Sequence, residues 1–270
     1  MVRGLWTAAS GMTAQQLNVD TIANNLSNVN TTGYKKETTN FKSLLYANLG
    51  APAEQEVQPN KAQVGHGVRA LANSRNFSTG VLTQTENTTD LAIQGDGFFA
   101  IDRGDGNVAY TKDGSFRFSV LADEGAYALV TSTGDPVLNT EGESIIMTND
   151  IAVDSLTIDT DGSIYYMDKD TNTRMDVAQI QVVQFPNVQG LEGIGNNYYV
   201  ATANSGEALV EGEDEGISRS TIRSGYLEGS NVQVADEMVK LIVAQRAYEL
   251  SSKAIQTVDE MLQQANDLKR

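Results

Sequence analysis

The apolar positions near the start of the chain recur at spacings of three and four. Val2, Leu5, Ala9, Met12, Gln16, Val19, Ala23 and Leu26 form a heptad a/d seam with one polar knob, Gln16. The spacing predicts a helix over about residues 4–29, roughly 39 Å long at 1.5 Å per residue. The seam is narrow and rich in small residues, which suits close approach of a second helix. Leu17, Ile22 and Val29 lie off it as a second, patchier apolar face. The helix is weak by itself, because Gly4, Gly11, Asn24, Asn25, Asn28 and Asn30 are poor helix formers, each Asn up to about 0.7 kcal/mol worse than Ala. Gly33, after Thr31 and Thr32, is the expected stop. At the other end, Val234, Met238, Leu241, Gln245, Tyr248, Ser252 and Ile255 keep the same rhythm, and Val258, Leu262, Ala265 and Leu268 continue it after a small phase shift. This stronger helix is predicted over about 233–268, roughly 54 Å. Asp236 and Glu237 in its first turn and Lys269 and Arg270 in its last suit the helix dipole. Glu249 and Lys253 are spaced as a favourable i,i+4 pair.

Between the helices the pattern shortens to strands punctuated by Asp-Gly. Leu91–Gln94, Phe98–Ile101, Val108–Thr111, Ser115–Phe118, Ser155–Ile158 and Ser163–Tyr166 are separated by turns such as Gly95-Asp96-Gly97, Asp113-Gly114 and Asp159-Thr160-Asp161-Gly162. Further strands are expected over 178–185, with Ile180, Val182 and Phe185 apolar, and over 197–201. Residues 50–60 hold two of the four prolines and no periodicity, so they read as a connector.

Charge follows the same division. Of 270 residues, 19 are Lys or Arg and 35 Asp or Glu, a formal charge of −16. Residues 1–46 carry four basic and two acidic groups and residues 232–270 five and six, which leaves −17 on 47–231. Two nearly neutral arms flank an acidic body. The balance argues against a nucleic-acid binder, which needs a basic footprint, and against docking on an anionic membrane. No apolar run is long enough to span a bilayer, so no direct membrane insertion is expected. The segment Trp6–Met12 is broken by Thr7, Ser10 and Gly11 and does not read as a secretory leader; export, if any, is expected without a cleaved signal.

Candidate chemistry is sparse. With no cysteine and one histidine, thiolate catalysis, disulfides and Cys-ligated metal sites drop out. His66 sits in Val64-Gly65-His66-Gly67-Val68 with no readable Ser or Asp partner. The Asp159–Gly162 stretch with Asp168 and Asp170 departs from a calcium loop, which needs Gly sixth and Glu twelfth where Ile164 and Asp170 stand, so a hairpin turn is expected. Gly95-Asp96-Gly97 lacks the Lys and Ser/Thr of a phosphate loop. Arg103-Gly104-Asp105 matches an adhesion tripeptide but is explained by a β-turn, and Glu211–Gly216 reads as a solvated loop. Glu141 and Glu143 form an acidic dyad of the kind a glycosidase uses, although pairs arise by chance among 35 acids. No catalytic, cofactor-binding or metal residue is assigned.

The expectation is therefore an α+β chain. Long N- and C-terminal helices (1–33 and 232–270) form a coiled-coil assembly domain, 34–90 and 206–231 an extended or β connector, and 91–205 a central, mainly antiparallel acidic β domain. Helices that meet only through the chain ends are expected to fold largely on assembly, since nucleation is costly. The other arrangement the pattern allows is a two-helix cap packed on its own β-domain. A seam used between copies, repeated head to tail without closure, builds a helical filament. The candidate assembly residues are Leu5, Ala9, Met12, Gln16, Val19, Ala23, Asn24, Asn25, Leu26, Asn28, Asn30, Met238, Leu241, Gln245, Tyr248, Ile255 and Leu262.

Several longer motifs carry a resemblance. Ala23-Asn-Asn-Leu-Ser-Asn-Val-Asn-Thr-Thr-Gly-Tyr-Lys35 resembles the N-terminal signature of bacterial flagellar rod and hook proteins. Leu91–Phe99 (LAIQGDGFF), Tyr110–Phe116 (YTKDGSF) and Ser224–Val232 (SGYLEGSNV) are similar to internal motifs of that family, and Met238–Leu250 with Lys253–Thr257 to its C-terminal helix. Within the flagellar basal-body rod protein family, Gln63–Val68 and Gly225–Gly229 look most like the distal-rod branch. The proximal-rod and hook homologues share parts of the same signatures and stay open as alternatives. The resemblance implies a structural subunit that self-assembles as a homo-oligomeric helical rod, transmits motor torque to the hook and meets other rod subunits and the hook protein. It also implies passage through the flagellar type III export apparatus without a cleaved signal, and residence in the extracytoplasmic basal body. A β-rich adhesive or carbohydrate-binding module and an Asp/Glu hydrolase remain as readings from other classes.

Overall fold

The computed structural model describes residues 2–48, 63–104, 106–120, 126–147, 156–168, 173–212 and 218–268. The 50–60 connector, Asp105 of the tripeptide, Ser155, Asp170, residues 213–216 of the acidic run, Lys269 and Arg270 lie outside these. The chain forms two compact units, each built from separated segments. One comprises Met1–Ser27, Glu37–Arg75 and Gln233–Arg270; the other, Asn28–Lys36 and Asn76–Val232.

In the first unit, helix α1 runs Val2–Ser27 and helix α2 Val234–Asp267. The two are antiparallel partners within one chain. A Cβ on Gly4 would lie 3.8 Å from Val258 Cγ2 and one on Gly11 3.5 Å from Ser251 Oγ, while Asn25 Nδ2 reaches Glu237 Oε2 at 3.3 Å. Each seven-residue step along α1 is matched by a seven-residue step back along α2. The two helices thus pair with each other within one chain, as the two-helix alternative has it. The physical reason is the stripe of small residues, which gives the two backbones a close-packed contact without large apolar side chains.

Helix α1 ends six residues before Gly33. Asn28 takes over as the chain turns: its Oδ1 accepts from the Thr31 hydroxyl at 3.1 Å and its carbonyl from the Thr31 N–H at 3.2 Å. Asn competes with helical backbone bonds in this way. Alongside the helices, strand Glu37–Ser43 pairs antiparallel with Val68–Arg75, with a bulge between Asn40 and Phe41, and Tyr46–Asn48 pairs with Gln63–Gly65.

The second unit is antiparallel β throughout its described strands. Its largest sheet has six strands in the order Glu192–Gly195, Tyr198–Val200, Val108–Thr111, Phe98–Asp102, Val182–Gln184 and Leu209–Val210. Alternation along Phe98–Asp102 splits the core in two. Phe99 and Ile101 join Ala109, Val182 and Tyr198 on one face, whereas Phe98 and Ala100 join Tyr110, Val183 and Tyr199 on the other. A strand covered on both faces reads as a continuous apolar run, and Phe98-Phe99-Ala100-Ile101 does. Two three-stranded sheets pack around it: Ile146–Met147, Tyr127–Val130 and Arg117–Val120; and Leu156–Ile158, Ser163–Met167 and Arg174–Gln179. Thr221–Ser224 pairs with Leu91–Gln94, and Tyr226–Glu228 with Leu82–Gln84. The Asp159–Gly162 stretch is the hairpin turn between Leu156–Ile158 and Ser163–Met167, with Asp159 Oδ1 accepting the Thr160 N–H at 2.7 Å. Asn196 and Asn197 both take positive φ, 52° and 60°, in the two-residue turn joining Gly195 to Tyr198. A type I′ hairpin turn demands that geometry, and Asn tolerates it.

Candidate assembly surface

Two buried polar nodes and two apolar helix surfaces define the functional geometry. At the C-terminal end of α1, Asn25 is almost fully buried. Its Oδ1 accepts the Glu37 N–H at 2.9 Å and its Nδ2 donates to the Glu37 carbonyl at 2.8 Å, so the amide pairs with the first strand as another strand would. The same Nδ2 also donates to Glu237 Oε2, and Glu237 Oε1 accepts from Lys240 Nζ at 2.7 Å. One turn earlier, the Thr21 and Thr39 hydroxyls lie 2.9 Å apart, and Thr39 donates to Asn73 Oδ1 at 3.0 Å. Gly67 lies so close to α1 that a Cβ there would collide with Ser10, whose Oγ accepts the Val68 N–H at 3.4 Å.

The intrachain contact stripe is phased differently from the expected seam. On α2 it follows Glu237, Ser251 and Val258, of which Val258 alone belongs to that seam; Glu237, and Ala244 at the same seven-residue spacing, are buried. Leu5, Ala9, Met12, Val19, Leu26, Asn28, Leu241, Ile255 and Leu262 are half-buried. Gln16, Ala23, Asn24, Asn30, Met238, Gln245 and Tyr248 are exposed, and Asn25 alone of the candidates is buried. The structure brings Gln16 and Val19 together with Gln245 and Tyr248 around a groove of about 310 Å³, with Asp20 and Glu249 completing its lining. Glu249 pairs with Arg246 at 2.9 Å instead of with Lys253. Away from the stripe, α2 leaves Val239, Ile242, Val243 (64% exposed) and Leu250 (67%) in solvent, and α1 leaves Trp6 (72%).

The second unit holds a buried charge cluster that hydrophobic patterning does not reveal. Lys35 Nζ donates to Glu228 Oε1 at 2.6 Å and to the Ser78 carbonyl at 2.9 Å, with both charged side chains fully buried. Glu228 Oε1 also accepts the Gly80 N–H at 2.7 Å, and the Glu228 carbonyl accepts the Gly33 N–H at 2.8 Å. Gly33 has φ of 66°, and a Cβ there would lie 2.7 Å from Asp113 N, so only glycine fits this crossing. Nearby, Lys112 Nζ donates to the Gly95 carbonyl at 2.8 Å and stands 5.0 Å over the Phe98 ring. Burial pulls the Lys112 ammonium down to about 8; Glu228 works against that shift and Lys35 with it. Four of the motifs singled out from sequence, ending in or containing Lys35, Gly95, Lys112 and Glu228, therefore converge on one node. Asn197 Nδ2 donating to the Thr32 carbonyl at 2.8 Å, and Asn231 Oδ1 accepting the Lys36 N–H at 2.8 Å, secure the 28–36 segment further. Among the described residues, no group of three or more His, Asp or Glu side chains is arranged to hold a metal ion.

Comparison with known proteins assigns the class. A model described as "Flagella basal body rod protein" matches residues 5–35, one described as "Flagellar hook protein FlgE/F/G D1 domain" matches 92–166, and one described as "Flagellar basal body rod FlgEFG protein C-terminal" matches 223–268. These place the chain among the flagellar rod and hook subunits. It is 48% identical to the flagellar basal-body rod protein FlgG of Borreliella burgdorferi, over the whole of both chains, and 38% identical to FlgG of Bacillus subtilis, again over the whole of both. It is 32% identical, over the whole of both chains, to the flagellar hook-basal body complex protein FlhP of Bacillus subtilis. The chain belongs to the flagellar basal-body rod protein family and is of the FlgG type, a structural rod subunit of the bacterial flagellar basal body.

Proposed function

We propose that the chain self-assembles, through the surfaces of its helical unit, into the distal part of the flagellar rod and carries motor torque to the hook. The observation that supports this most is the apolar surface α2 leaves in solvent around Val239, Ile242, Val243 and Leu250. Such side chains on a helix of a water-exposed monomer are an unburied hydrophobic contribution, and a neighbouring copy is the partner that repeats the contact along a filament. The terminal helices, 1–33 and 232–270 in the sequence division, act as the coiled-coil assembly domain, with the half-buried and exposed candidates from Leu5 to Leu262 as interface residues. The −17 on 47–231 keeps the central residues from that dense packing. The chain works as a mechanical part without cofactor or catalytic site, and its neighbours are other rod subunits and the hook protein. It reaches the basal body through the type III export apparatus without a cleaved signal. Electron microscopy of basal bodies from cells lacking the chain tests the placement. The expected result is a rod that stops short and carries no hook; rods of normal length with hooks attached would overturn it.

A further inference from the structure

The groove between α1 and α2 has a matching knob on the same molecule, too far along the helix to fill it. Its lining is apolar at Val19 and Tyr248, with the stems of Gln16 and Gln245 beside them and the carboxylates of Asp20 and Glu249 completing it, in about 310 Å³. Among the described residues Asp20 has no ion-pair partner. At the start of α1 stands Trp6, the chain's single tryptophan, 72% exposed, with Arg3 one turn before it. Arg3 likewise has no ion-pair partner among the described residues, and the first turn of α1 contains no acid. A cation at the positive end of a helix is electrostatically unfavourable until an anion approaches it.

We propose that Trp6 of one copy docks in the α1/α2 groove of a second copy, with Arg3 meeting the carboxylate of Asp20, Glu249 being already paired with Arg246. Size, polarity and charge agree: an indole fits within a groove of this volume, Tyr248 offers an aromatic wall, and a basic end meets the Asp20 carboxylate. Trp6 lies ten residues from Gln16 on one straight helix, about 15 Å, so a chain does not reach its own groove. The contact is heterologous, knob of one copy into socket of the next, and repeats without closing. This rests on the self-assembly reading and names the contact that propagates it.

Two measurements test it. Tryptophan emission of the unmodified chain, followed beside light scattering as concentration rises, reports Trp6 alone; it is expected to move to shorter wavelength as scattering grows. Scattering that grows with emission unmoved would overturn the docking and leave self-assembly standing; no growth in scattering at any concentration would overturn both. The second measurement uses the Arg3→Cys/Asp20→Cys chain, which keeps Trp6 and has no other thiol. The two sites are beyond the roughly 7 Å Cα separation a disulfide spans within one helix, so oxidation is expected to give a ladder of covalent dimers, trimers and longer species. Assembly with shifted emission but no ladder would overturn the choice of this groove and point to another partner surface for Trp6.

Discussion

Lys112 is 2% exposed and gives its ammonium one hydrogen-bond acceptor, the Gly95 carbonyl, and one ring face, Phe98. Its pKa in the fold is about 8, below its ordinary value of 10.5. Between those values the unfolded chain binds more protons than the folded one, so stability rises with pH through that window. Tyr110 and Tyr198, raised by burial above 10.0, keep their protons in the fold and turn the trend down once pH passes about 10. The β unit is therefore expected to gain roughly 2–3 kcal/mol between about pH 8 and 10 from Lys112. Urea unfolding at pH 7.5, 9 and 10 measures this; Lys112→Met is expected to lose the gain, and a variant with the parent's pH slope would contradict the assignment. None of this was legible in the sequence. A lysine reads as solvent-facing, and only the folded chain shows Lys35 and Glu228, 193 residues apart, as a buried pair. Replacing one partner of such a pair leaves the other uncompensated, so its place in the fold is narrowly specified.

At the scale of elements, the helix pair is registered by what it lacks. Gly4 and Gly11 face Val258 and Ser251, and Asn25 with Glu237 closes the far end. Cysteines at Gly11 and Ser251 are expected to close an intrachain disulfide on oxidation, visible as altered mobility without reductant. The pair Gly11→Cys/Val258→Cys, one heptad out of step, is expected to stay open; closure of both pairs would show a sliding contact. Strands such as Leu91–Gln94 and Val108–Thr111 were readable to the residue, because alternation and Asp-Gly turns signal them directly. Both helices were readable too, within about two residues at their starts and at the end of α2, and with α1 stopping at Ser27 where Asn28 turns the chain. The contact stripe was not, since glycine, serine and alanine add nothing to a hydrophobic pattern, whereas the larger residues beside them do. Glu37–Ser43 escaped assignment as an individual strand because its sequence is mostly polar and largely exposed, and Val68–Arg75 because its apolar residues Ala70, Leu71 and Ala72 run together instead of alternating. Pocket-lining Gln16, Val19, Gln245 and Tyr248 were all in the seam drawn from sequence, but their convergence on one groove needed the antiparallel register.

The whole molecule comprises a helical unit whose outward residues include Trp6, Val243 and Leu250 and a β unit organised around two buried cores, with large apolar residues such as Val81 and Val120 left exposed. The motifs that identify the flagellar rod family divide between them. Residues 23–27 finish α1, while Asn28–Lys36 joins the β unit through Lys35. On the proposed function, the outward faces of the helical unit are the surfaces the next copy covers. Sedimentation velocity of the purified chain beside its Val243→Asp/Leu250→Asp variant tests this most directly, because both positions are exposed and substitutions there change stability by only about 0.5 kcal/mol each. The parent chain is expected to form larger species as concentration rises, whereas the folded variant sediments as a monomer throughout; a folded variant that assembles as readily as the parent would contradict a role for these faces in assembly.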